Sequence, residues 1–189
     1  GDQLTYIIDK HRMRKNVLGG GVVGTLMTNL AIENQFKKLR IPFLRANVGD
    51  RYVHELLQEN KWQLGGESSG HIICMDKHTT GDGIISALQV LYALRDTRKT
   101  LAEFMRGVAL FPQRLVNVKV SKSFNLKANK AVDAVKKEAE TDLGDEAALF
   151  ATQHITGAAD VEVTHGDLET AAEFAVLFQR GEPLAAVGR

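Results

Sequence analysis

The chain has 189 residues, 44% hydrophobic and 25% charged, an ordinary globular balance that excludes wholesale disorder and a collagen-like scaffold. Lys and Arg total 24 against 23 Asp and Glu, so a formal charge of +1 gives no general attraction to nucleic acid or an anionic membrane. One cysteine, Cys74, excludes an intrachain disulfide, and no apolar run approaches the ~20 residues of a membrane span. At roughly 100–200 residues per domain the length suits one ordinary domain or two small ones. The expectation is a cytoplasmic protein with no nucleic-acid or membrane partner. Gly1 rather than Met opens the chain, which methionine removal and a fragment explain equally well.

Gln3 to Arg14 carries Leu4, Ile7 and Ile8 at helical spacing and a cationic end that suits a helix C-terminus. Val17 to Met27 is glycine-rich and apolar and reads as a buried strand. A helix follows from about Asn29, with Ile32, Phe36 and Leu39 on one stripe, and Pro42 blocks its continuation. Phe43 to Val48 reads as a second strand, and Tyr52, Val53, Leu56 and Leu57 as the next helical face. A short strand at Trp62 to Leu64 leads into a Gly- and Ser-rich loop, and Ile72 to Met75 is another short apolar run. Ile84, Ile85, Leu88, Leu91 and Tyr92 mark a strong amphipathic helix, with Thr79, Thr80 and Asp82 as candidate caps. Alternating strands and helices predict a three-layer α/β/α domain to about residue 108.

The pattern changes near Pro112. Arg114 to Lys122 alternates as a half-buried strand does. A helix from Asn125 places Ala128, Ala131, Val132, Val135 and Ala139 inward and ends at Gly144. Strands are predicted at Ala147 to His154 and Asp160 to Thr164. Asp167 caps a final helix with Leu168, Ala171, Ala172, Ala175 and Phe178, closed by Gly181 and Pro183. That order is a small α+β domain.

Gly19-Gly20-Gly21-Val22-Val23-Gly24 fits the G-x-G-x-x-G pattern of a dinucleotide site, with Asp50 after the next strand in place of a ribose-binding acid. Only Asn16-Val17-Leu18 precedes the glycines, a short first strand, and close packing of the segment is the alternative. Cys74, between Ile73 and Met75, reads as a small core residue rather than a nucleophile. Gly49-Asp50-Arg51-Tyr52 places Asp50 to cap a helix, and Arg51 suits a phosphate or, more simply, a local ion pair. Thr79-Thr80-Gly81-Asp82-Gly83 is a capped turn. His11, His54, His78, His154 and His165 show no metal-ligand spacing.

Gly65-Gly66-Glu67-Ser68-Ser69-Gly70-His71 is the most informative stretch. In extended backbone Glu67, Ser69 and His71 point the same way. A carboxylate beside a hydroxyl can bind two neighbouring hydroxyls of a sugar, and an imidazole can exchange a proton near neutral pH. On the residues alone, a polar surface turn with a capping Ser and an incidental His is the alternative.

Val48-Gly49-Asp50-Arg51-Tyr52-Val53, the Gly65–His71 stretch and Thr79-Thr80-Gly81-Asp82-Gly83-Ile84, in this order and spacing, resemble the α-D-phosphohexomutases, in particular their phosphoglucosamine mutase branch. Gly24-Thr25-Leu26-Met27-Thr28-Asn29-Leu30 matches the third-domain strand and helix of that family. The resemblance is specific from Val17 to Val120 and fades beyond Gly144. It implies residues 1–15 as the trailing helix of a preceding domain, 16–108 as the sugar-recognition α/β domain, and 109–189 as a C-terminal α+β domain that diverges after 144. It further implies a hexosamine phosphate as ligand, bound through Gly49, Gly66, Glu67, Ser68 and Ser69, with His71 as proton carrier. The family reaction interconverts glucosamine 6-phosphate and glucosamine 1-phosphate.

The sequence also departs from the family. The phosphoserine loop and the three-aspartate magnesium loop are absent, so Mg2+ is implied for the intact enzyme while its ligands are not in this chain, and the missing N-terminal domains become the implied partners. At the place of the fourth-domain phosphate loop, Ala151 stands for its Arg, and Gln153-His154-Ile155-Thr156 for Ser-Gly-Thr-Glu. A methyl group does not replace a guanidinium fork. Divergence and an altered reading frame both account for this. The expectation is therefore the C-terminal part of such a mutase, inactive alone. A free-standing sugar-phosphate-binding or subunit-interaction module is the alternative, and a dinucleotide-binding enzyme the third.

Overall fold

The computed structural model describes residues 1–120, 130–143, 147–155 and 172–180. The chain forms two compact units, Gly1–Leu110 and Phe111–Arg189.

The first unit holds helices α1 (Asp2–Arg14), α2 (Leu30–Lys38), α3 (Asp50–Asn60), α4 (Gly83–Thr97) and α5 (Leu101–Phe104), and strands β1 (Val22–Thr25), β2 (Phe43–Ala46), β3 (Leu64–Gly66) and β4 (Ile72–Cys74). The strands form one sheet in the order β2-β1-β3-β4. β1 is parallel to β2 and β3, whereas β4 returns antiparallel beside β3. Pleating separates two cores, since successive strand residues face opposite sides. Val22, Leu64, Ile72 and Cys74 pack with Tyr6, Ile7 and Ile8 of α1, Ile32 and Phe36 of α2, and Val90 and Ala93 of α4. Val23, Ala46 and Ile73 pack with Val53 and Leu57 of α3. The sheet thus lies between two helical layers, the α/β/α arrangement expected.

Local chemistry sets the helix ends. Asn29 Oδ1 accepts from the Ala31 amide at 3.1 Å, and Asp82 Oδ1 from the Ile85 amide at 2.8 Å. Of the three candidate caps for α4, Asp82 is the one used. Asp50 is not a cap: it is the first residue of α3, Gly49 holds the cap position, and Asp50 Oδ1 takes the Arg51 amide at 2.7 Å. Arg51 pairs with Glu55 one turn on, at 2.8 Å.

α1 lies within the first unit, with Tyr6, Ile7 and Ile8 in its main core. Two expectations for this unit change. The long apolar segment from Val17 yields only the four-residue β1. Gly19 and Gly20 adopt φ of +73° and +113° ahead of it, and a Cβ on Gly21 would lie 2.4 Å from the Pro42 carbonyl oxygen and 2.6 Å from the Trp62 ring. These glycines lead into the strand, and Gly24 lies within it, instead of turning from a strand into a helix, so the dinucleotide geometry is missing. Lastly, α4 forms as expected, but Ile84, Leu88, Leu91 and Tyr92 are exposed, Ile84 by 75%. Its buried residues are the small Ser86, Val90 and Ala93. Ser86 Oγ donates to the Ile72 carbonyl at 3.2 Å, which seats the helix close to β4.

Cys74 is buried in β4, and burial pushes its thiol above the usual value, which fits a core residue.

In the second unit, β5 (Gln113–Val120), α6 (Lys130–Leu143), β6 (Ala147–Ile155) and β7 (Ala172–Arg180) are described. β7 lies between β5 and β6 and is antiparallel to both. This corrects the predicted final helix, whose Ala172–Phe178 portion is strand. The run Phe174 to Phe178 satisfies both helical and strand periods, and pairing on both edges selects strand. The place of the absent phosphate loop is also strand, with Ala151 opposite Val176 and Gln153 opposite Phe174. Residues 125–129, 156–171 and 181–189 lie outside the described residues, and with them the predicted cap Asn125, the strand at 160–164 and the helix start at Asp167.

Candidate functional site

The parallel strands β1, β2 and β3 end together at Thr25, Ala46 and Gly66. The loops that leave this edge carry residues 26–29, 47–49 and 67–71. In open α/β sheets ligands bind outside the carboxyl ends of the strands, which is this edge.

Two glycines bring helices close to β3. A Cβ on Gly65 would lie 2.7 Å from Val53 Cγ1 of α3, and one on Gly66 would lie 2.7 Å from Thr5 Oγ1 of α1. With both helices seated against it, β3 delivers Glu67 at a fixed place.

The segment from Glu67 to His71 is a hairpin rather than extended chain. The Glu67 amide donates to the His71 carbonyl at 2.9 Å, and the Gly70 amide to the Glu67 carbonyl at 3.1 Å. Gly70 has φ of +110°, the left-handed residue that closes a three-residue hairpin loop. Glu67 and His71 consequently sit opposite each other across the hairpin. Glu67 Oε2 lies 3.5 Å from His71 Nδ1, and Ser69 Oγ lies 3.3 Å from the same nitrogen. The gathering of Glu67, Ser69 and His71 expected from extended geometry is therefore reached by a turn.

Gly49 joins from the neighbouring loop. Its φ of +130° is open to glycine, and its amide donates to Glu67 Oε1 at 2.9 Å. Gly49 thus holds the carboxylate at the start of α3, where the helix dipole favours negative charge. The Glu67 side chain is 10% exposed, while that of His71 is 66% exposed. Ser68 and Ser69 are exposed at the tip, and Gly66 is buried beneath them.

Arg45 escaped the sequence reasoning. It lies in β2 with Nη1 donating to the carbonyls of Thr25, Leu26 and Thr28 at 3.0, 3.2 and 2.9 Å, which fastens the loop after β1 to the same edge. Glu33 on α2 holds the guanidinium through Nη2 at 2.6 Å. The available signal was a lone Arg inside a short apolar strand, a charge that needs a partner when half-buried.

Among the described residues, no group of three or more His, Cys, Asp or Glu gathers to hold a metal ion. The described side chains do not fit the magnesium implied by the resemblance. No helix among the described residues is long and apolar enough to cross a membrane.

The sequence pattern of the phosphoglucomutase/phosphomannomutase alpha/beta/alpha domain III matches residues 1–111. A phosphoglucosamine mutase of Nitrosomonas europaea is 68% identical over 150 residues, 79% of this chain and 33% of that relative. That of Nitrosospira multiformis is 66% identical over 143 residues, 76% of this chain and 31% of that relative. The chain thus spans about a third of the length of these relatives. In structure, the N-acetylphosphoglucosamine mutase of Aspergillus fumigatus in complex with GlcNAc-6P and magnesium matches with a TM-score of 0.69. The match covers 96% of this chain and 40% of that one at 16% identity, a likeness of fold.

Proposed function

The chain belongs to the phosphoglucomutase/phosphomannomutase family, and from that premise we propose that its first unit is the sugar-reading domain of a phosphoglucosamine mutase, with a hexosamine phosphate as ligand. The observation that carries this reading is the convergence of Gly49, Glu67, Ser69 and His71 at the carboxyl edge of the parallel strands.

The chemistry suits a sugar. An ionised carboxylate has about four lone-pair sites, and the Gly49 amide uses one, so Glu67 retains acceptors for sugar hydroxyls. The Ser69 hydroxyl both donates and accepts, so it serves a hydroxyl in either sense. A carboxylate and a hydroxyl together bind an equatorial pair in two opposite orientations, as a reaction that exchanges O1 and O6 requires. The Gly66 backbone and Ser68 complete the lining, and His71 is the group placed to carry a proton. Turnover needs the phosphoserine and aspartate loops that this sequence lacks, so the purified chain is expected to convert no glucosamine 6-phosphate.

The test is an NMR titration of the labelled chain with glucosamine 6-phosphate. Shifts clustered on residues 65–71 and abolished by Glu67→Ala are the expected result. Unperturbed resonances at millimolar ligand would refute the reading.

A further inference from the structure

We infer that Glu67 is a positioning residue for the His71 imidazole, held in turn by Gly49, so that His71 carries its proton on Nδ1 and presents Nε2 as the atom for proton exchange. The inference rests on the proposed sugar-phosphate site for its use, while its geometry stands without a ligand.

Three contacts hold the pair, two of them converging on His71 Nδ1. The Gly49 amide donates to Glu67 Oε1 at 2.9 Å, which pins the carboxylate. The other oxygen, Oε2, lies 3.5 Å from His71 Nδ1. Ser69 Oγ lies 3.3 Å from that nitrogen as well. The hairpin bonds between the Glu67 amide and the His71 carbonyl, and between the Gly70 amide and the Glu67 carbonyl, keep the two side chains opposite each other. The carboxylate is nearly buried, and no described residue bonds His71 Nε2.

A neutral imidazole has one N–H and one lone pair, and the partner of one nitrogen decides which the other keeps. An ionised carboxylate only accepts. Facing Nδ1, it selects the Nδ1–H tautomer, and the hydroxyl of Ser69 can accept from the same N–H. The lone pair then lies on Nε2, at the exposed end of the ring. An unpartnered exposed imidazole favours the opposite tautomer, so the arrangement has a measurable consequence. When a sugar hydroxyl gives its proton to Nε2, the O–H bond breaks, the Nε2–H bond forms, and the imidazolium charge meets the Glu67 carboxylate behind Nδ1. Glu67 acts here through His71, and its remaining lone pairs stay open to sugar hydroxyls.

Long-range 1H–15N correlation of the imidazole rings in the full 189-residue chain, in alkaline buffer, tests this. The His71 signals are assigned by their loss in His71→Asn. Wild type should show the Nδ1–H pattern. Glu67→Gln still accepts from Gly49 but offers an N–H to Nδ1, so His71 should switch to mostly Nε2–H. Ser69→Ala should keep the Nδ1–H pattern. An Nε2–H pattern in wild type would overturn the inference, as would a switch in Ser69→Ala with none in Glu67→Gln. Amide spectra report folding. If Glu67→Gln unfolds, wild type and Ser69→Ala decide alone: Nδ1–H retained without the Ser69 hydroxyl leaves Glu67 as the partner, and its loss assigns the role to Ser69. No ligand is present, so a failed sugar titration would refute the proposed function and leave this result standing.

Discussion

α1 and α4 pack against each other and distribute polarity in opposite ways. α1 buries Thr5, Asp9, His11 and Arg12 beside its apolar residues, whereas α4 exposes Ile84, Leu88, Leu91 and Tyr92. Besides the shared apolar core they meet through polar groups: His11 Nε2 meets Asp96 Oδ2 at 3.0 Å, Lys15 meets the same oxygen at 2.9 Å, and the Tyr92 ring stands edge-on to His11. Arg12 reaches Asp76 at 2.9 Å. The difference teaches that apolar periodicity establishes a helix without fixing which face turns inward. Small Ser86, Val90 and Ala93 let α4 lie close to the sheet, and close approach outweighed burial of its larger residues.

The sharpest test of this contrast is a pair of truncations. Ile8→Ala on α1 should cost about 2–5 kcal/mol, the usual range for opening a cavity in a core. Its counterpart Leu88→Ala on α4, 56% exposed in wild type, should be the smallest effect, within about 0.5 kcal/mol. Urea unfolding of both variants measures the gap, and equal costs would mean that α4 is oriented otherwise.

Next in size is Asp9→Asn. Asp9 is fully buried, and neither carboxylate oxygen has a hydrogen-bond partner. Burial pushes its carboxyl up to about 7 from 3.8, against the opposing pull of Arg12. The folded state therefore favours the protonated acid. Its contribution is fully present below pH 3.8, falls as pH rises toward about 7, and is lost above that. An amide stays neutral, so Asp9→Asn should gain up to about 4 kcal/mol over wild type at pH 8, with little difference at pH 4. Unfolding curves at the two pH values check the sign, and a gain independent of pH would show that the carboxylate is not the cause.

Gly49→Ala should come between these and Leu88→Ala. Its φ of +130° is strained for any L side chain, and a Cβ there would lie 3.2 Å from the Tyr52 ring. A cost of about 1–3 kcal/mol is expected. Because the same residue holds Glu67, the variant should also weaken glucosamine 6-phosphate binding. Calorimetry beside thermal unfolding checks both, and full affinity in a destabilised variant would separate Gly49 from the site.

Much of the site was legible because it is local. Gly65 to His71 is one stretch; its residue types left a polar surface turn and a sugar-binding loop both open, and the family resemblance singled it out. What the stretch alone misjudged was its shape, since Gly70 at positive φ bends it into a hairpin. Gly49 was noticed as lining, but its bond to Glu67 joins positions 18 residues apart. Arg45 was missed because its three carbonyl partners lie in a loop that approaches only once β1 and β2 pair.

The sequence by itself determined the order of strands and helices in the first unit up to α4 and their three-layer α/β/α arrangement. These follow from period, caps and turn residues, which act over a few neighbours. Tertiary structure alone decided which face of α4 turns inward, that Tyr6, Ile7 and Ile8 of α1 enter the first unit's core, and that 172–178 is strand. It also decided which nitrogen of His71 faces a carboxylate. Each of these depends on pairing or burial between residues distant in the chain, where two local patterns fit equally well and packing selects one.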